Sequence, residues 1–178
     1  CRRLGLSFFS VVNGTGISDD DMAEKMISDG PTEITVSLDH HTPEIHDRAR
    51  GTPGAFDAAV GALRRLVAAR TRLDSQKPVY AMTIVCERNY RDLDAMYDFV
   101  LNDIGADKLK LNILQPSFGL GNGNDVHYAS ELVQRPRALV RIIDRCARKY
   151  GLGISPTWLR QVKMYHRSML RVPRQTRK

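Results

Sequence analysis

Apolar residues along this chain alternate between two periods, two and about 3.6 residues, which mark strands and helices in turn. The run from Ser7 to Val12 is rich in Phe and Val and ends in Asn13-Gly14-Thr15-Gly16, so a strand followed by a tight loop is predicted. Ser18, followed by Asp19, Asp20 and Asp21, offers an N-cap hydroxyl and negative charge at the positive end of a helix. That helix should reach about Ser28 and stop at Asp29-Gly30. In Glu33 to Leu38, Ile34, Val36 and Leu38 fall on one face of a strand, with Thr35, Ser37 and then Asp39 on the other.

After a loop, Phe56, Ala59, Val60, Leu63 and Val67 form the apolar stripe of a long helix. Val79 to Cys86 is a third strand, apolar on both faces. Leu93, Met96, Tyr97, Val100, Leu101 and Ile104 predict a helix that Gly105 ends. A fourth strand, Lys108 to Leu114, sets Leu109, Leu111 and Ile113 against Lys110 and Asn112. Ser117 to His127 is a long Gly/Asn-rich loop. Leu139, Ile142, Ile143, Cys146, Ala147 and Tyr150 then mark a helix capped by Gly151, and Ser155-Pro156 begins another, with disorder expected from Arg171 to Lys178.

Four strands separated by helices call for parallel pairing, hence an α/β class with helices outside the sheet. A flavodoxin-like open sheet and a segment of barrel both satisfy that pattern. Thr35, Ser37, Asp39, Lys110 and Asn112 favour the barrel segment, because helices on both faces would bury these polar groups among apolar ones, whereas a wet lumen leaves them able to meet a ligand.

The 178 residues are 42% hydrophobic, enough for a core, and no apolar stretch approaches the roughly 20 residues needed to cross a bilayer. No signal peptide is visible either, which makes a cytoplasmic location the expectation. The net charge of +7 is unevenly placed: Gln134 to Lys178 carries 13 Lys and Arg against the single acid Asp144, whereas residues 1–133 carry 14 basic against 19 acidic groups. A solvated charged face accounts for that basic end, and with little aromatic interleaving nucleic acid is not favoured as its partner. The glycines 119, 121 and 123 are followed by no GK[ST], so a phosphate loop is not indicated. Cys1, Cys86 and Cys146 are too scattered to form a metal site of their own.

The strand ends Val12-Asn13-Gly14-Thr15, Val36-Ser37-Leu38-Asp39 and Leu111-Asn112-Ile113-Leu114-Gln115-Pro116 resemble, in order and spacing, those of the radical S-adenosylmethionine (SAM) superfamily. Ser37-Leu38-Asp39, then His46-Asp47-Arg48-Ala49-Arg50-Gly51, then Gly54-Ala55-Phe56-Asp57, is similar to the family stretch SLD, HDxxRG and GxFD. The likeness covers Cys1 to about Pro116. Beyond it the outline is similar to the helical extension of peptide-modifying members. The fold the resemblance implies is a partial (β/α) barrel of the radical SAM type with a C-terminal helical extension, residues 1–116 forming the later part of the barrel and 117–178 the loop and basic helices.

The resemblance further implies S-adenosylmethionine and a [4Fe-4S] cluster as cofactors, a 5′-deoxyadenosyl radical for hydrogen abstraction, and a peptide or protein as a possible substrate. The family's CxxxCxxC cluster loop has no counterpart here, so the chain is expected to be a fragment cut at its N-terminus, inactive alone and prone to self-association through an unpaired sheet edge. Ser37 resembles the serine that bonds the cofactor's ribose or methionine end, against an ordinary polar role. Asp39 either accepts from a ribose hydroxyl or caps the turn. Arg50 resembles an arginine that approaches the cofactor carboxylate, against a salt bridge to Asp47 or Asp39. His46 and Asp47 read as holders of the loop rather than acid and base. Asn13 matches the family's turn, with Val12 where the family has Thr, and Asn112 and Gln115 stand where related enzymes hold the adenine, or else meet substrate or water. A cluster-free α/β ligand-binding module and a basic interaction domain remain the alternatives.

Overall fold

A computed structural model describes residues 4–114 and 131–169. Among them are four strands, β1 (Phe9–Val12), β2 (Glu33–Ser37), β3 (Val79–Val85) and β4 (Lys108–Ile113). Six helices accompany them: α1 (Asp20–Ser28), α2 (Pro43–Arg50), α3 (Ala55–Arg72), α4 (Leu93–Asp98), α5 (Pro136–Lys149) and α6 (Pro156–Met169). None is long and apolar enough to cross a membrane. The predicted loop 117–127 and the tail 171–178 lie outside the described residues.

The strands stand in the order β1-β2-β3-β4, and β1 with β2 and β2 with β3 run parallel. Among the described strands, sheet order follows chain order without the reversal of a flavodoxin-like switch point, which is compatible with a segment of barrel. Register places Ile34 beside Val79, Thr35 beside Tyr80, Val36 beside Ala81 and Ser37 beside Met82. Ile34, Val36 and Leu38 are fully buried, as the alternation of β2 predicts. Helix α3 packs on β2 and on α1 and α2 through a stripe that includes Phe56, Ala59, Leu63 and Leu66.

Three local expectations are corrected. The N-cap of α1 is Asp19, not Ser18: its carboxylate accepts from the Met22 amide at 2.8 Å, and an ionised oxygen is the stronger acceptor at a positive helix end. The segment before α3 is not loop throughout, because Thr42 as N-cap and Pro43 in the first turn start α2, which Gly51 closes at φ 66°. The helix after β3 is irregular: a 3-10 turn at Tyr90–Asp92 leads into α4, and a π turn at Phe99–Asp103 follows it.

Two compact units divide the chain, one of Cys1–Thr83 with Ala95–Leu111 and the other of Ile84–Asp94 with Asn112–Lys178. The first holds β1, β2, α1 to α3 and most of β3 and β4. In the second, α5 and α6 pack together, with Leu139, Ile143 and Cys146 buried along α5. Tyr150 Oη donates to the Asp94 carbonyl at 3.0 Å, and Lys149 Nζ reaches the Asp94 carboxylate at 2.9 Å.

Candidate cofactor-binding site

The first unit gathers polar groups at the C-terminal ends of β1 and β2. Ser37 is the last residue of β2, half-buried on the face opposite Ile34, Val36 and Leu38. The chain stays extended one residue further, Leu38 N–H donating to the Met82 carbonyl at 2.8 Å. It then turns at Asp39, whose N–H donates to Nδ1 of the buried His46 at 3.0 Å. That bond requires a bare Nδ1 and so a neutral ring with its proton on Nε2. Burial lowers the His46 pKa and the neighbouring Asp39 carboxylate only partly offsets it.

Asp47 works in the other direction. Its two oxygens accept from the Gly54 amide at 2.7 Å and the Phe56 amide at 2.8 Å, at the start of α3, where Gly54 brings no side chain of its own to cap the helix. These bonds, that from Phe56 first, hold its carboxyl below the ordinary aspartate value. His46 and Asp47 therefore fasten α2 to the end of β2 and to α3, and neither is placed as an acid or base. Phe56 stacks on Phe99 with centroids 6.0 Å apart.

Arg50, at the end of α2, sets Nε 2.9 Å from Oδ2 of Asp39; their side chains are 28% and 11% exposed. The approach is off the N–H axis, so this is an ion contact rather than an aligned hydrogen bond. Among the described residues the Arg50 guanidinium makes no other hydrogen bond or ion pair. Of the two partners the sequence left open for it, Asp39 is the one it meets, since Asp47 is spent on α3.

Asn13 follows β1 where Val12 is in register with Val36, which sets it beside Ser37 along the sheet edge. Its side-chain oxygen accepts from Thr15 N at 3.2 Å and Thr15 Oγ1 at 2.8 Å, shaping the turn. Gly14 has φ 92°, and a Cβ there would meet Ala59 Cα at 2.8 Å, so the loop rests against α3. Asn112 is exposed on β4 and belongs to the second unit; Gln115 lies outside the described residues.

No family model matches the chain. Among curated proteins it is similar to an AdoMet-dependent heme synthase of Methanosarcina barkeri, 28% identical over 170 residues covering 85% of this chain and 46% of that protein. It is also similar to the mycofactocin maturase MftC of Mycobacterium tuberculosis, 33% identical over 125 residues covering 70% of this chain and 28% of that protein. The chain thus spans less than half the length of these relatives. These relatives are radical SAM enzymes, and the chain is similar to them at low identity.

The cofactors of such enzymes set different demands on these residues. A guanidinium such as that of Arg50, whose buried Nε has no aligned acceptor, and a hydroxyl such as that of Ser37 at the end of β2 are of the chemical type that meets the carboxylate and hydroxyls of S-adenosylmethionine. A [4Fe-4S] cluster finds no such fit. No group of three or more His, Cys, Asp or Glu among the described residues could hold a metal. Burial raises the pKa of the half-buried Cys86 and pushes the buried Cys146 up to about 11, so both are neutral thiols where a cluster needs thiolates.

One polar cluster on the sheet escaped the sequence. Lys110 pairs with Glu33, reaches Thr35 Oγ1 at 3.5 Å and lies 4.3 Å from the Tyr80 ring centroid. Thr35, expected to be open to a wet lumen, is instead 1% exposed, because the long side chains of Lys110 and Tyr80 cover it. Glu33 and Tyr80 could have been found by extending the β2 alternation one step back and adding the register of β3.

Proposed function

We infer that this chain is the part of a radical SAM enzyme that positions S-adenosylmethionine, along the strand ends where β1 and β2 finish and within a partial barrel completed by other parts of the protein. Arg50 faces the cofactor carboxylate and Ser37 its ribose or methionine end. Asp39 steers the Arg50 guanidinium, or accepts from a ribose hydroxyl, and Asn13 keeps the neighbouring turn in shape. Asn112 and Gln115 are assigned to the adenine side. When bound with its [4Fe-4S] cluster, whose ligands we place outside these 178 residues, the cofactor supplies the radical that removes hydrogen from a substrate. A peptide or protein substrate is the reading favoured by the match to a maturase.

The observation that carries this is the Arg50 guanidinium, held at Nε by Asp39, which lies two residues after Ser37, and otherwise without a polar partner among the described residues. The experiment is calorimetric titration of S-adenosylmethionine into the full-length protein after anaerobic cluster reconstitution. Arg50→Lys keeps the charge but loses the planar fork, and affinity should fall by about tenfold. Unchanged affinity in a folded Arg50→Lys protein would remove Arg50 from the site.

A further inference from the structure

The second unit contains a pocket of about 340 Å³ lined by Arg135, Pro136, Arg137, Ala138, Arg141 and Arg167. Its volume lies within the range of small-ligand sites. Four arginines line it, three from the start of α5 and one from α6, two helices that pack side by side. None of the four is in an ion pair among the described residues, whereas further along α5 Arg148 pairs with Asp144, and Lys149 with Asp94.

Helix electrostatics make this placement unfavourable for the protein alone. A helix N-terminus carries partial positive charge and is stabilised by acids; α5 has no acid in its first turn and no side-chain N-cap bond, and has Arg135 and Arg137 there instead. Arg137 and Arg141 are also four residues apart on one helix face, a like-charge spacing that is destabilising. Basic residues that serve only solubility belong at the other end, where Arg148 and Lys149 are.

We propose that this pocket is a binding site for a multivalent oxoanion, a group bearing two or more negative charges on phosphate or carboxylate oxygens. The guanidinium forks supply paired N–H donors for such oxygens, the start of α5 adds its positive end, and the Arg stems with Pro136 and Ala138 form an apolar floor. An anion seated there relieves the repulsion among the four arginines. The site is separate from the residues assigned to S-adenosylmethionine, and its test needs neither that cofactor nor the cluster.

The 178-residue chain is titrated in low salt with inorganic pyrophosphate and, separately, with citrate, by calorimetry and by thermal unfolding. One-site binding with a raised melting temperature is expected from at least one of the two. The tighter of the pair identifies phosphate or carboxylate as the preferred source. Arg141→Gln with Arg167→Gln should weaken binding by about tenfold or more, while Arg145→Gln with Arg148→Gln, an equal loss of charge elsewhere on α5, should change it less than about twofold. All four positions are exposed, so the variants keep their fold, which circular dichroism verifies. No binding of either anion at millimolar concentration, or equal weakening by both pairs of substitutions, would overturn the proposal, the second result showing diffuse charge in place of a site.

Discussion

Nδ1 of His46 accepts a hydrogen bond from the backbone N–H of Asp39 at 3.0 Å, joining α2 to the residue that leaves β2 two positions after Ser37. The bond exists only while the imidazole is neutral, and burial keeps it so.

Stability should therefore depend on acidity through this ring. The folded pKa of His46 is lowered from 6.5, so between the two values the unfolded chain binds the extra proton. The stabilisation is complete above about pH 6.5 and is lost as pH falls through the window below it. Melting temperature measured from pH 8 to 5 should drop more steeply for the native protein than for His46→Gln, once the other histidines are subtracted in the difference curve. Parallel curves would show that His46 is not held neutral by the fold.

Ser37 and Leu38 should separate binding from stability. In the full-length enzyme Ser37→Ala removes one hydroxyl bond and should weaken S-adenosylmethionine about two- to tenfold with little change in melting. Leu38, fully buried on the other face, should cost about 2 to 5 kcal/mol of stability as Leu38→Ala while leaving the affinity of the folded fraction intact. Calorimetry giving the opposite assignment would invert the faces of β2.

Removing Arg50 should loosen the hold on the Asp39 carboxylate. Arg50→Met takes away the guanidinium at 2.9 Å, at a cost of about 1 to 3 kcal/mol, moderated because the arginine is partly exposed to screening water. Arg50→Met with Asp39→Asn should recover part of that loss. A denaturation cycle with purely additive effects would mean that the 2.9 Å contact contributes no coupling.

Strand β1 stands at one end of the sheet order, and on it Phe9 is 71% and Val11 47% exposed. Such an apolar edge is a template for pairing with another chain. We propose that the 178-residue chain self-associates through it. Sedimentation should show mass rising with concentration, and Val11→Lys should suppress the rise; a monomer throughout would argue that this edge is blunted.

Much of this was legible before the coordinates. In β2 a two-residue period separates Ile34, Val36 and Leu38 from Ser37 with no help from packing, so strand and faces followed directly. Helix α2 was not legible from periodicity, because Pro-Glu-Ile-His-Asp-Arg-Ala-Arg holds too few apolar residues to draw a stripe; its signal was Thr42-Pro43. Arg50 had two acids within reach in sequence, and only the geometry of Asp47, turned toward the amides of α3, decides between them. The pocket of four arginines depends on how α5 and α6 pack, which a charge count over Gln134 to Lys178 does not reveal.

Helix α3 carries a double duty that follows from Gly14 and Asp47. The glycine lets the loop after β1 rest on the backbone at Ala58 and Ala59, while the Asp47 carboxylate grips the amides at the start of the same helix from α2. The turn after β1 and helix α2 are thus both gauged from one rigid rod. Sliding α3 along its axis would carry the Asn13 turn and α2 together, so their spacing is kept even when both shift. A side chain at position 14 would break that common reference on the β1 side only, and the spacing of the two would change before the protein lost its fold.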